Sequence, residues 1–393
     1  MMIEALNIRR FRSLADLTVD LHPINVLLGP NGTGKSSFLD SLWFLRDCAI
    51  RGVEEASAAR DHGIGVLWDG AEPGETIAVS IETESAVYDA QFALTSGRID
   101  PFLGESLISK VTDREWIQRP PGSGNATFFH SDLNQPLNVE LREPTKLALT
   151  RFLDFAPTPP KEAREIDSAL RFLNNYRSRD LDIWNLRHRG SEASHHEHLW
   201  DRAQNLWSVL RNLDGQRHRD DRLGTILEFM RRAFPKFDQL LFSAPAGNVV
   251  IAEFLEKKRR NPIKASGISD GVLCLLIHLT ALFSPGSKPS ILLFDEPEAS
   301  LHPHAIAVLG EAVREATRSW NKQVLMATHS PVLVSQFDEE DVLITQPGEH
   351  GEALFRRATE IPDLQDLLED YALGSLYMAE AVARQSVDEQ VTA

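Results

Sequence analysis

Two kinds of hydrophobic pattern alternate along the chain. Near the N-terminus Leu17, Val19 and Leu21 alternate with polar neighbours, the period of a half-buried strand. "INVLLG" at 24–29 is instead a continuous apolar run, as expected of a strand covered on both faces. A glycine-rich loop and a helical stretch at 35–46 follow. Residues 76–94 predict a hairpin: Ile77, Val79 and Ile81 alternate, then Tyr88, Ala90 and Phe92, around a polar "TESA". "RPPGSG" at 119–124 predicts a loop.

From about 145 to 235 the period changes to 3.6. Leu199, Ala203, Leu206, Leu210 and Leu213 would share one helix face. Leu223, Ile226, Leu227, Met230 and Phe234 would share another. "APTPPKEAREID" at 156–167 predicts a break with a helix after it. No heptad repeat is sustained, so no long coiled coil is expected. Beyond this block the predicted order is strand 248–254, helix 271–283, strand 290–295, helix 304–318 and strand 323–328. That alternation means parallel βαβ units. The expectation is an α/β chain with a mixed sheet in three parts. Residues 1–145 carry an antiparallel β lobe and the glycine-rich loop, 146–236 form a helical insertion, and 237–393 complete the head.

Composition narrows the function classes. The chain has 393 residues, 42% hydrophobic and 25% charged, enough for a sizeable core. Its 41 Lys+Arg against 57 Asp+Glu give a net charge of −16, which argues against a general binder of nucleic acid or anionic membranes. The most apolar stretch, "VLCLLIHLTALF" at 272–283, is too short to span a bilayer, and the N-terminus lacks the apolar segment of a signal peptide. A cytoplasmic protein without a membrane partner is expected. Cys48 and Cys274 lie in apolar sequence with no ligand-like spacing, as buried thiols of a reducing compartment would.

The glycine-rich loop brings in chemistry. "GPNGTGKSS" at 29–37 fits G-x-x-x-x-G-K-[ST], between a buried strand and a helix. The N–H groups of Gly29, Asn31, Gly32, Thr33, Gly34, Lys35, Ser36 and Ser37 would close around phosphate oxygens at the positive end of a helix dipole. Lys35 would reach the β- and γ-phosphates, and the Ser36 hydroxyl would ligate Mg²⁺. "ILLFDEPEASLHP" at 291–303 ends a buried strand in Asp295 and Glu296. Asp295 would hold Mg²⁺, and Glu296 would orient or deprotonate the attacking water. Pro297 and Pro303 would equally suit a turn that caps the next helix. "VLMATHSP" at 324–331 places His329 at the same sheet edge, where it would donate a hydrogen bond to the γ-phosphate.

These motifs, in this order and with "SGISDG" ahead of the acidic strand, resemble the ABC-type ATPases. The resemblance is to the branch that holds RecF, the SMC proteins and the ATPase domain of OLD-family nucleases. "NIRRFRSLADLTVDL" before the phosphate loop, "DEPEASLHP" with Glu298 and His302–Pro303, "THSPVLVSQF" and "DYALGSLYMAE" carry it, over residues 1–45 and 262–380. It implies a P-loop NTPase fold of the ABC-ATPase type, with ATP and Mg²⁺ bound. It also implies an ATP-driven head-to-tail homodimer, in which Ser269 and Gly271 of one chain contact the γ-phosphate held by Lys35 of the other. Asp270 departs from the glycine of the family's L-S-G-G-Q signature. A carboxylate beside a triphosphate has to point away or be paired, and Asp is also a good helix cap. For the glutamine-bearing loop of these enzymes, Gln91 and Gln118 lie in the expected region, neither in a convincing context.

The resemblance implies DNA repair or anti-phage defence, with DNA or a separate nuclease or effector as partner. About 60 residues follow His329, so any nuclease of the OLD kind is expected on a separate protein. A nucleotide-gated interaction module with negligible turnover, or the regulatory ATPase subunit of a separate nuclease or effector, are the alternatives. A transporter ATPase fits the signature least. "KKRR" at 257–260 reads as a solvated basic loop, or as a contact to a phosphate backbone. One of Arg9, Arg10 and Arg12 would approach the nucleotide. "HHEH" at 195–198 predicts a polar helix start rather than a metal site.

Overall fold

The apolar run at 24–29 becomes the strand Ile24–Leu28, buried at all five positions. It is the middle strand of a five-stranded sheet in the computed structural model, which describes residues 2–382 apart from 69, 71–74, 96–97, 157, 175, 287–288, 363, 369 and 380. The strand order is Ser290–Asp295, Lys322–Thr328, Ile24–Leu28, Val342–Pro347, Ala353–Arg357. The first four run parallel and the last antiparallel. Their continuous apolar character has a direct cause, because the sheet separates two cores. Val26 and Leu28 pack with the helices Asp270–Phe283 and Pro303–Ser319, while Leu27 packs on the other side with the helix Lys35–Arg51. Parallel strands end on one edge, so the loops after Leu28, Asp295 and Thr328 are neighbours.

The second core is roofed by an eight-stranded antiparallel sheet. Leu14–Asp20 is its first edge strand and buries Leu17 and Val19. The predicted hairpin supplies Thr76–Glu82 and Ala86–Thr95. The sheet then continues through Arg98–Ser109, Glu115–Arg119, Asn125–His130 and Gln135–Glu140, with the Pro/Gly loop at 119–124 joining two of them. These later strands read weakly because polar residues occupy core positions. Glu105 and Arg119 are fully buried and paired at 3.1 Å, and Glu105 also accepts the Ala148 N–H at 2.6 Å. The pair is satisfied together with such backbone partners, but it hides the alternation.

Between 146 and 236 the helix Lys161–Arg171 follows the proline break, and Arg222–Ala233 buries Leu223, Ile226, Leu227 and Met230. The helix expected through 199–213 is shorter and starts at Leu206. Ala203 takes a left-handed φ of 56°. The Asn205 side chain accepts the Trp200 N–H at 2.8 Å and donates to the His198 carbonyl at 2.9 Å. This turn replaces the first helical turns yet keeps Leu199 and Ala203 buried. "HHEH" at 195–198 is accordingly loop, not a helix start. Phe237–Ala246 pairs with Val249–Glu256 in a hairpin whose first strand the pattern did not predict. Leu240 is buried while the next residue, Leu241, is 40% exposed, and an irregular register breaks the alternation. "KKRR" is exposed beyond this hairpin. Cys48 and Cys274 are free and buried. Among the described residues no helix is long and apolar enough to cross a membrane.

Candidate functional site

The phosphate-type loop is shaped by what surrounds it. A Cβ at Gly29 would lie 2.2 Å from Thr345 Oγ1, and one at Gly34, whose φ is +85°, would lie 2.5 Å from the Ala353 Cβ. Glycine is therefore required at both positions by close approach, and at Gly34 by conformation as well. Thr33 Oγ1 donates to the Pro30 carbonyl at 2.9 Å and lies 2.6 Å from Thr345 Oγ1, which ties the loop to the neighbouring strand. Asn31 and Gly32 are exposed at the loop tip. Ser13 Oγ donates to Ser37 Oγ at 3.2 Å. Lys35 Nζ is folded back onto its own loop and donates to the carbonyls of Gly29 at 2.7 Å and Pro30 at 2.6 Å. Burial pulls the Lys35 pKa below the ordinary lysine value, against the opposing charges of Glu296 and Asp295.

Ser36 Oγ donates to Asp295 Oδ1 at 3.1 Å, across the gap between the loop and the acidic strand. Burial raises the Asp295 pKa, with Arg179 opposing. Glu296 has a left-handed φ of 52°, and its N–H donates to the Ala327 carbonyl at 2.8 Å. Such a conformation costs a non-glycine residue about 1–3 kcal/mol and is held here by the adjoining strand. His329 Nδ1 lies 3.5 Å from Glu296 Oε1. Buried Glu298 braces the same corner: its Oε1 accepts from Thr328 Oγ1 at 2.6 Å and from the His329 N–H at 3.2 Å.

A residue that sequence reasoning missed sits at the centre. Arg179 Nη1 donates to Ser36 Oγ at 3.3 Å, its Nε lies 3.3 Å from Asp295 Oδ2, and its Nη2 bonds Glu296 Oε1. Arg179 arrives on a stretch beside the outer edge of the strand Ser290–Asp295. Gln91 and Gln118 lie elsewhere, in the antiparallel sheet. Gln91 donates to Asp89 Oδ2 at 2.8 Å, and Gln118 pairs across strands with Ser106 and Thr127. Of the N-terminal arginines, Arg12 reaches the helix that follows the loop, 2.9 Å from Asp40 Oδ2. Arg10 pairs with Glu75 at 2.7 Å, and Arg9 bonds Asn7 at 3.2 Å.

Ser36 Oγ and the Asp295 carboxylate are hard oxygen donors of the kind Mg²⁺ takes, and a guanidinium already lies against both. The donor set therefore fits a divalent cation.

The stretch at 265–271 is organised differently. Ser269 is the N-cap of the helix Asp270–Phe283, but its side chain makes no capping bond. Ser269 and Asp270 are exposed, and among the described residues no hydrogen bond joins them to the glycine-rich loop. Asp270 Oδ1 pairs with Arg187 Nη2 at 2.6 Å, and Arg187 also bonds the Ile268 carbonyl. A Cβ on Gly271 would lie 2.5 Å from the Ser300 carbonyl oxygen, so this helix start packs directly on the turn after the acidic strand.

Comparison with known proteins bears on the family and the fold. A family profile described as "AAA domain, putative AbiEii toxin, Type IV TA system" matches residues 24–335. The chain is similar to protein ea59 of Escherichia phage lambda, 25% identical over 257 residues, which are 62% of this chain and 47% of that protein. It is 46% identical over 46 residues to the DNA replication and repair protein RecF of Colwellia psychrerythraea, 12% of each chain. The chain thus spans about half or less of the curated relatives it matches. An SMC head solved with the C-terminal winged-helix domain of ScpA shares the fold, with a TM-score of 0.57 at 14% identity over 91% of this chain and 98% of that one. So does an SMC head with an extended coiled coil, bound to the C-terminal domain of ScpA derived from Pyrococcus furiosus. Its TM-score is 0.53 at 12% identity, over 94% of this chain and 99% of that one.

Proposed function

We propose, given that the chain belongs to this AAA-domain family and is an ABC-type ATPase of the RecF and SMC group, that it binds ATP with Mg²⁺, hydrolyses it, and is joined to a second copy by the bound nucleotide. One observation carries the reading. Ser36, Asp295, Glu296 and His329 meet beside the Lys35 loop, while Ser269 of the same chain stays exposed and makes no cap.

Lys35 would leave the carbonyls of Gly29 and Pro30 and turn to the β- and γ-phosphates, with the N–H groups of Gly29 and of residues 31–37 around them. Ser36 and Asp295 would hold Mg²⁺, whose charge offsets that of the phosphates. Glu296 would orient the attacking water and accept its proton, and His329 would donate to the γ-phosphate. Ser269 and the Gly271 N–H of a second copy would close the site with a helix N-terminus. The ion pair with Arg187 answers the charge objection to Asp270, because a paired carboxylate can stand near a triphosphate.

The RecF match and the family description support a role in DNA repair or anti-phage defence, with DNA or a separate nuclease or effector as partner. Light scattering on Glu296→Gln, with and without ATP and Mg²⁺, tests the mechanism. The expected result is a nucleotide-dependent doubling of mass, and a variant that stays monomeric and binds no ATP ends the proposal. A module with negligible turnover is the second reading, favoured by the engagement of Glu296 with Arg179. Phosphate release by the wild type separates the two.

A further inference from the structure

Arg179 stands where the proposed site needs a cation. Its guanidinium contacts Ser36, Asp295 and Glu296, the groups assigned above to Mg²⁺ and to the attacking water. It satisfies two adjacent carboxylates that would otherwise repel each other. A divalent ion placed at the same oxygens would be repelled by the guanidinium, so each cation weakens the hold of the other.

The backbone that carries Arg179 is pinned by the two residues just before it. Arg177 lies 3.3 Å from Asp40 and 3.3 Å from Asp47, both on the helix Lys35–Arg51. Ser178 is bonded to the backbone of Asp295. The Arg179 side chain, in contrast, is 47% exposed. It borders a cavity of about 630 Å³ that Asp180 and Asp201 line beside five other arginines. A displaced guanidinium therefore has room on a fixed stem, in a cavity whose lining includes carboxylates as well as other arginines.

We infer that Arg179 is a resident counter-cation of the nucleotide-free site, which a divalent metal displaces toward this cavity, so that Arg179 sets the metal dependence of nucleotide binding. The inference rests on the ATP reading above. It makes two consequences of opposite sign. Without metal, Arg179 neutralises the carboxylates that face the triphosphate and assists binding. With metal, it competes for Ser36 and Asp295. A residue that only held the fold together would weaken both.

The test uses the full chain and a fluorescent ATP analogue, with anisotropy read in EDTA and across a MgCl₂ titration. Wild type, Arg179→Ala and Arg179→Gln are compared. Both variants should bind the analogue on the order of tenfold more weakly in EDTA, and half-saturate at on the order of tenfold less Mg²⁺. Mn²⁺ binding to the nucleotide-free protein, followed by electron paramagnetic resonance, should tighten in both. If both variants need as much Mg²⁺ as wild type or more, while wild type binds the analogue, the role of Arg179 is overturned and the ATP reading stands. If wild type binds no nucleotide under any condition, both are overturned.

Discussion

Ser178 brackets Asp295. The Asp295 N–H donates to Ser178 Oγ at 2.8 Å, and the same hydroxyl donates back to the Asp295 carbonyl at 2.6 Å. Asn174 does the same for Leu293, accepting its N–H at 2.8 Å and donating to its carbonyl at 3.1 Å. Ile291 completes the series through backbone bonds to Phe172 and Asn174 at 3.4 and 2.9 Å. Among the described residues no strand of the sheet lies beyond this edge, and two side chains stand in for the peptide groups of one. They seal an edge that would otherwise leave unpaired groups. The same stretch delivers Arg177 and Arg179, so edge sealing and site building are one structural act.

Ser178→Ala should therefore do more than remove one bond. It leaves the N–H and carbonyl of Asp295 without their partner in a buried place, a cost of about 1–3 kcal/mol. The urea midpoint should fall accordingly, with an unchanged slope. Nucleotide binding in Mg²⁺ should weaken as well, because Asp295 loses its fixed position. A loss under about 0.5 kcal/mol would show that water replaces the hydroxyl and that the bracket is dispensable.

Glu296→Gln should separate binding from chemistry. The amide keeps the size of the side chain but cannot take a proton, so turnover should drop by a factor of about 10² or more. Affinity for ATP should change little, since Lys35 and Ser36 remain. Phosphate release and equilibrium binding measured on one preparation decide it. Equal turnover in both proteins would remove Glu296 from the chemistry.

The parts of the site that were legible in the sequence share one property. Lys35, Asp295 and His329 each follow an apolar run, and parallel strands carry the ends of such runs to one edge. The residues that were not legible act from irregular chain. Ser178 lies 117 residues before Asp295, and Arg179 117 residues before Glu296, on a stretch with no periodicity to place it. Asp270 stands where the family signature has glycine, and the partner that balances its charge, Arg187, is remote in sequence and equally unmarked. The β lobe followed the same rule. Its first strands alternate, whereas Glu105 and Arg119 put charge into the core of the later ones and mask the period. Local pattern reports burial, and it fails wherever a buried polar group is satisfied by a distant partner.

The pairing of Asp270 leads to a prediction about dimer assembly. Arg187→Ala removes the cation beside Asp270 and leaves a bare carboxylate at the helix start that would face the partner's phosphates. The ATP-dependent dimer should weaken on the order of tenfold, while ATP binding by one chain is kept. Adding Asp270→Asn to that variant should restore assembly, since no charge is then left to repel. Sedimentation with ATP and Mg²⁺ reads both. Ser269→Arg, at an exposed position, should abolish the dimer with less than about 0.5 kcal/mol change in monomer stability. Unaltered assembly in all three variants would mean that this helix start is not part of the interface.

The helix that starts at Asp270 also carries a titratable group against the acidic turn. His278 is almost fully buried, with Nδ1 2.6 Å from the Tyr176 hydroxyl, and it is hydrogen-bonded to the backbone of Pro297. Burial lowers its pKa from 6.5 to about 4. In the folded chain His278 then stays neutral at pH values where the unfolded chain has already taken up a proton. The stability this group contributes is complete above pH 6.5 and is lost as the pH falls toward 4. The full loss is about 3 kcal/mol, most of it reached by about pH 4.5. Asp341 works in the opposite sense. Burial, and then Asp338, push its pKa up from 3.8 to about 6, so it favours the folded state as acid is added through that window. The readout is therefore the difference between wild type and His278→Gln. Glutamine can keep a hydrogen bond but does not titrate, so the variant should lose about 2–3 kcal/mol less than wild type between about pH 7 and 4.5. Denaturant curves at the two pH values measure it. Parallel losses would mean that His278 titrates like an exposed histidine, and the link from this helix to Pro297 would then have to open freely in the folded protein.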